Sequence, residues 1–332
     1  MNRQNKTIYS SLMNRIAIAM MLNQLVMSIL GGLYSAMLPM LTLLLGEGTL
    51  LDITCGFFEC GIYLVSFALP MNIFNKMNKN AIREIYEPVE SEKMPTKIVF
   101  FAVCFTLGAT IFASYINYYA VNFFWDYSKF TTENLWSVEL ERPHQMMIYF
   151  AYSAIVPAVV EEYFFRETIC KSLTIYGKKT AILASATLFA LMHGNIEQIL
   201  YAFVGGVLLA WIYVETKNIV IPIFVHFLNN GISAFGDILK AIYGQSVSDR
   251  YFAISDTVIA ILAIISLVGI IAYAKKKGRL IDKLIIKPDE NGEVVAPLTI
   301  KERVSGFFST GIVLFTIYSL ITMIGLIYLS LM

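Results

Sequence analysis

Residues 161–167 read Glu-Glu-Tyr-Phe-Phe-Arg-Glu, inside a stretch (146–174) that is otherwise apolar enough to cross a bilayer. On insertion scales a charge near the bilayer centre costs roughly 2.5 to 3.5 kcal/mol. A chain does not hold Glu161, Glu162 and Arg166 at that depth for solubility. They must be paired or face a wet cavity, and they mark a site.

The sequence around this stretch is of one kind. The 332-residue chain is 57% hydrophobic and 15% charged, with a mean hydropathy of +0.66. Soluble domains carry about 25% charged residues, so the chain reads as an all-α, polytopic membrane protein. A formal net charge of +1 gives no basic field, which speaks against nucleic acid. The partners expected are membrane lipids and a membrane-associated protein or peptide. Cys55, Cys60, Cys104 and Cys170 show no metal-ligand spacing and sit in or beside apolar stretches, as small hydrophobes.

About 20 apolar residues cover the hydrocarbon core. Spans are expected near 16–45, 53–75, 98–125, 146–174, 180–193, 196–214, 218–237, 257–274 and 306–331, nine in all, or eight without the short fifth. The first is too long for a signal segment and is expected to tilt or break at Gly31 and Gly32. Lys/Arg-rich segments (1–15, 75–97, 171–179, 275–287) alternate with loops poor in basic residues. The positive-inside rule then puts the N-terminus in the cytoplasm. The compact loops point to a bacterial plasma membrane. A turn is expected at Pro288–Gly292. One membrane domain results, with N-terminal spans (1–145), a central core (146–237) and C-terminal spans (238–332).

Three pairs spaced (i, i+4) share helix faces: Glu162 with Arg166, Phe189 with His193, and His226 with Asn230. Counted from the cytoplasmic ends at 1.5 Å per residue, Glu161 and His193 lie about 20 Å deep, His226 about 12 Å and Asn230 about 18 Å. Polar groups from three helices in one layer imply a shared buried cavity. Glu162 and Arg166 read as an intrahelical ion pair that neutralises itself. Phe189 reads as a cavity wall, Glu167 as an interfacial side chain that snorkels, and His144 as solvated in an exterior loop. Pro157 removes a backbone hydrogen bond to Ser153 and should bend the fourth span one turn before Glu161, whereas Pro222 sits in a first helical turn.

No Ser or Cys stands out as a nucleophile, and His-Glu-x-x-His is absent. Two mechanisms remain open. Glu161 and His193 could activate water, with His226 and Asn230 donating to the oxyanion of a tetrahedral intermediate. Alternatively, Glu161, His193 and His226 could hold a catalytic zinc or other divalent metal with an open water position.

Glu-Glu-x-x-x-Arg (161–166), Phe-x-x-x-His (189–193) and His-x-x-x-Asn (226–230), in that order, resemble the three motifs of an intramembrane protease family. It is the CAAX prenyl protease and bacteriocin-processing family (CPBP, or Abi), and the resemblance covers residues 146–236. It implies an eight-helix-like core around a conical cavity. It also implies catalytic roles for Glu161, His193, His226 and Asn230, with Glu162, Arg166 and Phe189 in support. The version expected here is metal-free, with no cofactor. The function implied is hydrolysis of a peptide bond in a membrane-associated protein or peptide. The alternatives are a non-catalytic immunity or regulatory protein that retains the fold, and a carrier, against which the lack of inverted repeats counts.

Overall fold

Away from water every backbone N–H and C=O must find its partner within the segment, which leaves helices as the spanning form for such sequences. The computed structural model describes residues 2–83, 94–124, 140–278 and 298–330, and their regular elements are all helices. In chain order they are α1 (Asn2–Leu45), α2 (Thr49–Arg83), α3 (Thr96–Phe124), α4 (Pro143–Tyr176), α5 (Lys178–Met192), α6 (Ile199–Thr216), α7 (Val220–Tyr243), α8 (Gln245–Lys277), α9 (Ile300–Phe307) and α10 (Thr310–Ser330). The turn expected at Pro288–Gly292 lies outside the described residues, as do residues 84–93 and 125–139 of the expected loops.

Among the described residues seven helices, α1, α2, α3, α4, α6, α8 and α10, are long and apolar enough to cross a membrane, against the eight or nine spans expected. This is a multi-pass membrane protein. The 15 residues of α5 reach only about 22 Å. In α7 the polar side chains of His226, Asn229, Asn230, Asp237 and Lys240 dilute the apolar run. Of the expected spans the two that fall short are α5, which ends at Met192 next to His193, and α7, which carries His226.

Of the two forms expected for the first span, tilted or broken, the break does not occur. Helix α1 runs unbroken through Gly31 and Gly32, both of which have open space around them. With no neighbour intruding and no water to take up freed backbone groups, nothing drives a break there.

Helix α4 is central and packs on α2, α5 and α7, while α3 packs on α6 and α8, and α1 on α2, α9 and α10. Helices α5 and α6 approach closely because Gly206 has no side chain: a Cβ there would lie 3.1 Å from Ala186 Cα. Phe164, Phe165, Arg166 and Leu188 are fully buried where these helices meet, whereas Ile264, Val268, Ile321 and Ile324 of α8 and α10 are exposed, as lipid-facing residues are. The four cysteines are free.

Candidate active site

The local form of α4 follows from its sequence. An α-helical stretch, Val156–Glu162, lies between two π-helical segments, Ala151–Ile155 and Tyr163–Cys170. Pro157 has no N–H for the carbonyl of Ser153. The change in turn falls next to it, and widened turns of this kind recur at functional sites. The Ser153 carbonyl is not left idle. It accepts a hydrogen bond from Asn230 Nδ2 of α7 at 3.2 Å.

Glu161, Phe189, His193, His226 and Asn230 all line one cavity of about 260 Å³. The shared polar layer read from helical depth is therefore present, and α2, α3 and α6 complete its walls with Tyr63, Thr110 and Gly205. Glu162 and Arg166 do not line it. They lie behind it, each fully buried.

The two adjacent glutamates thus face different surroundings. Glu161 Oε1 accepts a hydrogen bond from the Tyr63 hydroxyl, and Oε2 stands 3.9 Å from His226 Nε2. That gap is too long for a hydrogen bond. Glu162 Oε1 forms an ion pair with Arg166 Nη1 at 3.0 Å and accepts a hydrogen bond from His226 Nδ1 at 2.9 Å. The intrahelical ion pair expected from the sequence is formed, and it is also the anchor of a catalytic candidate. Arg166 is held further by the face of Phe189, with Cζ 4.5 Å from the ring centroid.

The imidazoles are oriented by what their Nδ1 atoms touch. His193 Nδ1 lies 2.8 Å from the carbonyl of Phe189. A carbonyl only accepts, so this nitrogen carries the proton and Nε2 is left for the cavity. His226 likewise gives its Nδ1 proton to Glu162 and turns Nε2 toward Glu161. The amide of Asn230 is fixed from both ends: Nδ2 donates to Ser153, and Oδ1 accepts from Asn229 Nδ2 at 3.3 Å. Asn229 Oδ1 in turn accepts from Thr110 Oγ1 at 2.8 Å.

The sequence does not single out Tyr63, Thr110 or Asn229. Tyr63 carried one usable signal: tyrosines of membrane helices gather at the interface, yet it lies mid-run in 53–75. One other expectation needs revision, and another gains partners. His144 is not simply solvated, for its Nε2 lies 2.7 Å from Asp52 Oδ2, which also receives Arg142 and Gln145 at 3.1 Å each. Glu167 pairs with Lys171 and accepts from the hydroxyl of Tyr213, so it is tied down on both oxygens. As for the metal alternative, no group of three or more His, Cys, Asp or Glu side chains among the described residues is placed to hold an ion. Glu161, His193 and His226 share the cavity without converging as ligands.

Comparison with known proteins places the same stretch. Residues 143–232 match the family model described as type II CAAX prenyl endopeptidase Rce1-like. The chain is 34% identical over 91 residues to the "Membrane-embedded CAAX protease MroQ" of Staphylococcus aureus (strain USA300), covering 25% of this chain and 37% of that protein. It is 35% identical over 81 residues to the "Putative membrane peptidase YdiL" of Bacillus subtilis (strain 168), covering 24% of this chain and 32% of that protein. The chain spans about a third of the length of these curated relatives. No solved structure gives a significant match.

Proposed function

We propose, on the premise that residues 143–232 are a type II CAAX prenyl endopeptidase Rce1-like domain, that this chain is an intramembrane endopeptidase acting on a membrane-associated protein or peptide. The observation that carries the reading is the meeting of Glu161, His193, His226 and Asn230 around one cavity. A carboxylate, two imidazoles and an amide without a side-chain nucleophile suit attack by water.

Glu161 is the general base. With Oε1 engaged by Tyr63, Oε2 takes a proton from a water that also donates to His193 Nε2. The hydroxide attacks the scissile carbonyl, and the oxyanion that forms accepts from Asn230 Nδ2 and from His226 Nε2. His226 donates there only when doubly protonated, because its Nδ1 proton is committed to Glu162. Collapse breaks the C–N bond, and the Glu161 carboxylic acid returns its proton to the leaving amine. Glu162, Arg166 and Phe189 hold the two imidazoles in place, and Tyr63 positions the base. None of these steps uses a metal or cofactor.

The setting that fits is a bacterial plasma membrane with the N-terminus in the cytoplasm, as the alternation of basic loops requires. Peptidomics and membrane proteomics of cells with wild-type protein and with Glu161→Gln test the reading. An uncut precursor should accumulate in the variant and reveal substrate and scissile bond together. If Glu161→Gln and His193→Ala both leave every cleavage product and phenotype unchanged while the protein folds, the chain is a scaffold and not an enzyme.

A further inference from the structure

Where α9 crosses α5 beside α1 lies a second cavity, of about 460 Å³. It shares no lining residue with the first. Its polar residues are Tyr9, Lys179, Thr180, Thr187 and Arg303, with no carboxylate among them. Two of them carry buried donors without partners. Tyr9 is fully buried, yet its hydroxyl makes no hydrogen bond to the described residues, and Arg303 Nε is buried and equally unmatched among them. Arg303 Nη1 reaches Thr180 Oγ1 at 3.2 Å, which fixes the guanidinium against α5. Gly306 lets α9 lie on the Tyr9 ring, since a Cβ there would come within 2.4 Å of it.

Among the described residues, no carboxylate neutralises the charges around this cavity. Lys179 is exposed and enters no ion pair among the described residues, unlike its neighbour Lys178, which is buried against Glu215 at 3.1 Å. Glu302, next to Arg303, turns back to cap α9, with Oε2 at 2.8 Å from both N and Oγ1 of Thr299. What remains is two cations and an orphan hydroxyl above exposed apolar side chains, Leu183, Val304 and Phe308.

We propose that this cavity binds an anionic phospholipid, its phosphate held by Tyr9, Lys179 and Arg303 and its acyl chain lying along Leu183, Val304 and Phe308. Buried donors lacking acceptors call for an acceptor-rich anion, and the adjoining apolar strip calls for a hydrocarbon tail. Basic pockets between membrane helices on the cytoplasmic side take lipid headgroups for this reason. The cavity lies in the basic set of segments, where the positive-inside rule locates the cytoplasmic leaflet and its anionic lipids. The site is independent of the proposed peptidase chemistry.

The test uses the full chain in neutral detergent and three probes: phosphatidylglycerol, phosphatidylcholine and inorganic phosphate. Bound lipid is read by native mass spectrometry, and stabilisation by the shift in unfolding temperature. Phosphatidylglycerol should be retained and should raise the unfolding temperature more than phosphatidylcholine does. Lys179→Gln and Tyr9→Phe should each weaken phosphatidylglycerol binding by about fivefold. Lys179→Arg should restore it, and Lys240→Gln at the far end of α7 should leave it unchanged. Lys179 is exposed, so its variant retains the packing. Equal binding of the two lipids, or wild-type affinity in Lys179→Gln, overturns the proposal. Inorganic phosphate that stabilises as well as the lipid does would also overturn it, by assigning the cavity to a free anion.

Discussion

The carbonyl of Ser153 on α4 receives Asn230 Nδ2 of α7 at 3.2 Å, and the residue that would otherwise supply its helical partner is Pro157. A proline in one helix thus sets the orientation of an amide in another. Asn230→Ala should lower kcat by roughly 10² to 10³, the usual loss for one oxyanion donor, with KM little changed. Pro157→Ala, which returns an N–H to compete for Ser153, should lower kcat by a smaller factor. Steady-state kinetics on the precursor found by proteomics checks both, and an undiminished kcat in Asn230→Ala would remove this residue from the mechanism.

Tyr63 offers a cleaner separation of roles. Tyr63→Phe keeps the ring that packs on Phe67 and Tyr152 and removes only the hydroxyl on Glu161. About tenfold in kcat should be lost, the worth of one such hydrogen bond, at constant KM and unfolding temperature. A drop in unfolding temperature with kcat intact would make Tyr63 a packing residue.

The buried pair behind the cavity should behave differently. Glu162→Gln leaves Arg166 as an unmatched buried cation and frees His226, so it should destabilise by about 3 to 5 kcal/mol and also reduce turnover. Replacing both, as Glu162→Leu with Arg166→Met, should recover much of the stability and none of the activity. Chemical denaturation in detergent beside single-turnover assays distinguishes the two effects.

Glu197 lies in the link between α5 and α6, where burial pushes its carboxyl up to about 7 and Oε1 has no hydrogen-bond partner among the described residues. Its folded state holds the proton more tightly than the unfolded chain, whose glutamates ionise near the ordinary value of 4.5. Stability should therefore fall as pH rises from about 4.5 through about 7, and stay lower above that. Glu197→Gln should flatten that slope, as unfolding temperatures between pH 5 and 8 would reveal.

If Glu161 rather than a metal activates water, exhaustive chelation should leave peptidase activity in place. Stoichiometric zinc whose removal abolishes turnover would assign Glu161, His193 and His226 to the ion instead.

The four cavity residues proposed for catalysis were legible because their polarity is expensive in lipid and their spacing is helical, so sequence alone put Glu161, His193, His226 and Asn230 in one layer. Tyr63 escaped because it is uncharged and meets Glu161 across 98 positions of sequence. His144 escaped likewise, since Asp52 lies 92 positions away. Pairings between distant helices leave no periodic trace. The twin glycines of α1 left two forms open, a tilt or a break: glycine permits a kink but does not create one, and neither Gly31 nor Gly32 has a neighbour to force it. The second role of Glu162, on His226, needed the relative rotation of α4 and α7, which no single helix encodes.

The brevity of α5 has a consequence for the surrounding lipid. Its 15 residues fall about 8 Å short of a hydrocarbon layer about 30 Å thick. Either the leaflet is pinched in beside His193, or the polar link after it sits below the headgroups and draws solvent down with it. A hydrophobic stretch this short is met by local thinning of the bilayer or by flanking polar residues reaching to the interface. Acyl-chain length in a reconstituted bilayer would then regulate how readily water reaches Glu161.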